Sequence, residues 1–102
     1  MKDNMTLHDQ LKCLIGGYHG VSLIDEYPLK EYMLKEIEIG IENFKRVNHI
    51  DNADYKNIEE EAMNLSNRTK MQDALLVLNS MNAPMDLVFM IKNRLKEETK
   101  KA

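Results

Sequence analysis

The stretch from Pro28 to Asn48, PLKEYMLKEIEIGIENFKRVN, constrains the fold more than any other part of the chain. Leu29, Met33, Ile37 and Ile41 step by four residues and Phe44 continues the row, so a helix here carries one continuous apolar side. Proline suits the first helical position, because its missing N–H would have no partner there in any case. Glu31 falls in the first turn and Lys45 and Arg46 near the last, each where the helix dipole favours its charge. Tyr32, Ile39 and Val47 lie off the row and widen the apolar arc. The helix therefore either sits centrally with neighbours on two sides, or leaves a second side exposed and adhesive. The central position is the expectation, since burial is the commoner fate of an apolar helix face. Gly40, in its middle, costs about 1 kcal/mol against alanine; a close helix crossing would account for it, and so would a position under no particular constraint.

The rest of the chain also reads as helix. Thr6 caps a first helix with Leu7, Leu11, Leu14, Ile15 and Tyr18 on one side, expected to stop at Gly16-Gly17. The segment 21–27 then crosses the core surface. After a turn at Asn48–Asn52, a third helix starts at a cap on Asn52 or Asp54, with Ile58, Ala62 and Leu65 inward, and breaks at Ser66-Asn67. A fourth runs from Thr69 to Met81, where the consecutive apolar residues Ala74 to Leu78 read as a helix buried on all sides. The fifth starts with Pro84 at its first position and runs to about Glu98, with Leu87, Val88, Ile91 and Leu95 inward.

A chain of 102 residues, 43% hydrophobic and 30% charged, suits one folded domain spanning 1–102. A basic tail over about 96–102 is expected to fray. The net charge of −3 exerts no general pull toward nucleic acid. The single cysteine, Cys13, precludes an internal disulfide and fits a reducing compartment, so a cytoplasmic location is expected. The N-terminus lacks the basic-then-apolar pattern of a signal peptide, and no apolar run reaches the ~18 residues of a membrane span. The richness in Lys, Asn, Ile and Glu suggests AT-rich coding and weakly favours a bacterial, phage or mobile-element source.

Motif chemistry is sparse. His8, Cys13 and His19 lack metal-ligand or Cys–His spacing. The glycines of 16–20 close a helix, whereas phosphate-binding glycines follow a strand and open one. The acidic run Asp51–Glu61 fails the register of a calcium loop, which leaves a solvated helix start or an electrostatic docking patch. Helices four and five resemble a helix-turn-helix only in outline, because the second opens with Met85, Asp86, Leu87 and Val88 rather than base-reading residues. No catalytic, cofactor-binding or metal-binding residue is assigned.

The sequence thus predicts an all-α fold: a compact bundle of four to five helices with a long central helix at about 28–48 and a C-terminal helical hairpin. The expected function is a small non-enzymatic regulator, adaptor or inhibitor acting by protein–protein contact. Its partner is another protein or a second copy of itself, met through Tyr32, Ile39, Met85, Phe89 and Met90. One alternative is a nucleic-acid-binding regulator using Lys92, Arg94, Lys96, Lys100 and Lys101. Another is a homo-oligomeric assembly protein. No cofactor and no membrane are expected.

Overall fold

A computed structural model describes residues 5–101, apart from the side chains of Thr99 and Lys101. Five helices account for the described secondary structure: α1 (Leu7–Ser22), α2 (Lys30–Val47), α3 (Asn52–Met63), α4 (Asn67–Ser80) and α5 (Met85–Lys101). They enclose one core, built largely from Leu11, Ile24, Ile37, Met71, Leu78, Leu87 and Ile91. The compact helical bundle and its α4–α5 hairpin match the expectation from sequence.

Capping explains where most helices begin. Thr6 Oγ1 accepts from the Asp9 amide at 3.0 Å, Asp51 from Asp54 at 2.8 Å and Ser66 from Thr69 at 3.1 Å, each satisfying an amide that the helix leaves unpaired. The break at Ser66-Asn67 is therefore real. The α3 cap falls on Asp51 rather than on Asn52 or Asp54, and α3 ends at Met63 rather than Ser66. Pro28 and Pro84 both stand just outside their helices, not at the first helical position; the Pro84 carbonyl accepts from Val88 at 3.3 Å. Two helices end on left-handed residues, His49 (φ 54°) after α2 and Asn82 (φ 56°) after α4. In each case the following amide reaches back to the helix, Ile50 to Lys45 at 3.0 Å and Ala83 to Leu78 at 3.1 Å, a Schellman closure made without glycine.

The glycines correct the sequence reading most. Gly16, Gly17 and Gly20 do not stop α1; they are buried inside it, and none has a positive φ. A Cβ on Gly20 would collide with the Lys70 carbonyl oxygen and stand 2.9 Å from the Ala74 Cβ, while one on Gly17 would lie 2.7 Å from Val77 Cγ2. The glycines thus form the flat side of α1 on which α4 lies. Close approach of the two helices offsets their poor helix propensity, roughly 1 kcal/mol each. Leu11 and Ile15, on another side of α1, join the common core.

As a result α1 is the hub. It packs most extensively on α4 and also meets α2 and α3, while α5 packs on α4. Tyr27 Oη donates to Asp86 Oδ1 at 3.2 Å, and Arg94 donates to the Leu23 carbonyl at 3.5 Å, tying the α1–α2 connection to α5. The expectation that α2 is central fails because α1 has the most helix neighbours and α2 packs mainly on α1 alone; the expectation that Ala74–Leu78 is buried all round fails because Leu76 is 59% exposed.

Gly40, by contrast, has nothing within 4 Å of an added Cβ, so no helix crossing explains it within one copy of the chain. Gly40→Ala is expected to raise the unfolding free energy by about 1 kcal/mol, read from urea denaturation at high dilution. A loss of stability would show that the position is not open.

Candidate functional site

Helix α2 buries Met33, Leu34, Ile37 and Ile41 and half-buries Phe44. At about 100° per residue, Leu29, Tyr32, Glu36, Ile39, Gly40, Asn43 and Val47 share a neighbouring side of the same helical path. That side faces solvent: Leu29 is 54% exposed, Tyr32 62%, Ile39 52% and Val47 65%. The second apolar face is therefore uncovered, contrary to the expectation of a helix with neighbours on two sides.

Leu29 belongs to this exposed face, although the four-residue row reads it as core. A step of four advances a helix position by about 40° beyond a full turn, so Leu29 lies a third of a turn from Ile41 and drifts off the buried side. Charge on the face is limited to Glu36 within it and Arg46 at its border, where the guanidinium donates to Asn43 Oδ1 at 3.0 Å. Lys35 and Glu42 stand farther out, both exposed.

On α5, Met85 and Phe89 are exposed at 60% and 58%, whereas Met90 is half-buried and packs against the core. Lys92, Lys96 and Lys100 are exposed and step by four along one side of the helix. Arg94 turns inward to the Leu23 carbonyl. The helical backbone continues through Lys101, whose side chain lies outside the described residues.

The remaining sequence candidates separate in space. His8 Nε2 lies 2.9 Å from Glu61 Oε1, with Lys12 Nζ 3.5 Å from the same oxygen, and the His8 hydrogen bond holds the Glu61 carboxyl below its usual value. These contacts give part of the acidic run a structural task, joining α3 to α1. The His19 ring stands edge-on to Tyr18, centroids 5.6 Å apart. No group of three metal-ligating side chains occurs among the described residues. The glycine segment is internal helix, so its amides are engaged along α1 rather than gathered to cradle a phosphate.

Cys13 meets Asp73 where α1 crosses α4. Burial, then the Asp73 charge and its hydrogen bond with the thiol, push Cys13 up to about 12. The thiol stays protonated at neutral pH and is a poor nucleophile. Asp73 is itself raised by burial, against the opposing hydrogen bond from Cys13 and the charge of Lys12.

A carboxyl raised in the folded state binds protons more tightly there than in the unfolded chain. Its contribution to stability is full below the ordinary value of 3.8 and is lost as pH rises through the raised folded value. Asp73→Asn keeps an acceptor for the thiol and removes that dependence. Relative to wild type, the variant is expected to gain stability as pH rises from about 4 to about 7, read as diverging urea midpoints. Parallel midpoints across that range would show that Asp73 titrates as an ordinary solvated carboxyl.

No helix among the described residues is long and apolar enough to cross a membrane. No protein-family model, curated protein or solved structure matches the chain.

Proposed function

We propose that this protein works by contact with another protein, as a small non-enzymatic helical regulator, adaptor or inhibitor in the cytoplasm. The observation that carries this reading is the outer face of α2, where Leu29, Tyr32, Ile39 and Val47 are all more than half exposed. Leaving about half of each of these side chains in water forgoes roughly 1 kcal/mol each relative to burying them fully. Four apolar side chains spaced along one exposed helix face, with Glu36 and Asn43 between them, are what an association surface can use. The exposed pair Met85 and Phe89 offers a second, smaller apolar patch on α5.

The test is capture by the tagged chain from a nuclease-treated lysate of its native source, comparing wild type with Tyr32→Asp/Ile39→Asp. Both positions are exposed, so the fold should change by no more than about 0.5 kcal/mol. A stoichiometric protein band, an untagged copy of the chain included, is expected with wild type and lost with the variant. An undiminished band in the variant overturns the assignment to α2. A band captured from a parallel untreated lysate and absent after nuclease would transfer the function to the Lys92, Lys96 and Lys100 row, whose phosphate contacts would make binding fall steeply with salt.

A further inference from the structure

We infer that the α2 face is built for a second copy of this chain, docked antiparallel about a two-fold axis close to Gly40. The inference rests on the reading of that face as a contact surface and names its occupant.

The distribution of charge is the first argument. Glu36 lies four residues before Gly40 and Arg46 six after it, both exposed. A two-fold axis near Gly40 reverses one helix over the other and lays each Glu36 toward the partner copy's Asn43–Arg46 end. The guanidinium is already drawn to that side of α2 by its hydrogen bond to Asn43. Antiparallel docking therefore sets opposite charges against each other once on each side of the axis, Glu36 of one copy against Arg46 of the other. Parallel docking would set Glu36 on Glu36 and Arg46 on Arg46 and would align the helix dipoles unfavourably. A face whose charges are balanced end against end is complementary to itself, which a symmetric pair requires and a different partner does not.

Shape is the second argument. Leu29 and Tyr32 at one end of the face would meet Val47 at the other, apolar on apolar. At the axis Gly40 presents bare backbone with nothing within 4 Å of an added Cβ, and its absent side chain admits Ile39 of the second copy. A glycine that no crossing explains within one copy is explained by a crossing between two.

The contact is one helix wide and, for the 18 residues of α2, about 27 Å long. That places it among small, reversible interfaces. Sedimentation equilibrium of the purified chain over roughly 1 µM to 1 mM should show a monomer–dimer equilibrium. Glu36→Arg and Arg46→Glu should each raise the dissociation constant about tenfold or more, and the double exchange should restore it to within about threefold. An equimolar mixture of the two single variants should form heterodimers tighter than either homodimer, because each then offers the charge the other lacks. Gly40→Leu should abolish the dimer while the helical circular dichroism is unchanged.

A chain monomeric throughout this range overturns the inference, as do charge variants that leave the dissociation constant unaltered singly and together. If the chain is monomeric yet still captures a protein through Tyr32 and Ile39, the occupant is wrong and the contact reading stands. If it is monomeric and the capture is indifferent to those residues, both fail.

Discussion

Gly20→Val is expected to unfold the protein or leave it barely stable, with a loss of more than about 3 kcal/mol. A Cβ at this position runs into the Lys70 carbonyl oxygen, and its next neighbours are the Lys70 carbonyl carbon at 2.8 Å and the Ala74 Cβ at 2.9 Å. Two of these three atoms are α4 backbone, so the clash is relieved only by moving one helix off the other. Gly20→Ala should already lose about 2 kcal/mol, even though alanine favours the helix by roughly 1 kcal/mol. Gly16→Ala should cost less. The nearest obstacle there is the Asp73 side chain, followed by Leu65 Cδ1 at 3.3 Å, and side chains can rotate away. Urea denaturation of the three variants tests this order; a stabilised Gly20→Ala would contradict the packing of α1 on α4.

Leu78→Ala is expected to cost about 2–5 kcal/mol, the range for emptying a fully buried leucine site. Leu78 has no exposed surface, while Leu76, two residues earlier on the same helix, is 59% exposed. Leu76→Ala should therefore change stability by no more than about 0.5 kcal/mol. Denaturation midpoints of the pair separate the observed α4, covered on one side, from a helix enclosed all round. Equal large losses would restore the enclosed helix; equal small ones would remove α4 from the core. Against a typical domain stability of about 5–15 kcal/mol, the Leu78 change alone takes a large share.

Local chemistry explains what was legible in the sequence. Thr6 read as a cap because a hydroxyl before a helix has an amide to satisfy within three residues; Ser66 read as a break, and it is the cap of α4, which begins two residues before the expected Thr69. The inward residues of α5, Leu87, Val88 and Ile91, read correctly because helical spacing alone puts them on one side. What was not legible depends on atoms far away along the chain. Glycines at 16, 17 and 20 suit a helix stop and a close helix contact equally well; the decision rests with Lys70, Ala74 and Val77, far along the chain. The apolar run Ala74–Leu78 and the wide arc of α2 pose a similar ambiguity, since composition states how much apolar surface a helix carries and not how many neighbours cover it. Once α1 occupies the hub, α2 is left with one main neighbour and its second face open.

That open face of α2, and with it the account of what the protein does, is most directly tested by amide chemical-shift mapping of the labelled chain. Spectra would be compared over roughly a hundredfold dilution from 1 mM and again with any captured protein added. The account predicts changes concentrated at Leu29, Tyr32, Glu36, Ile39, Gly40, Asn43 and Val47, with the core of α1 and α4 undisturbed. Changes confined to α3 or α5, or none in either experiment, would contradict it.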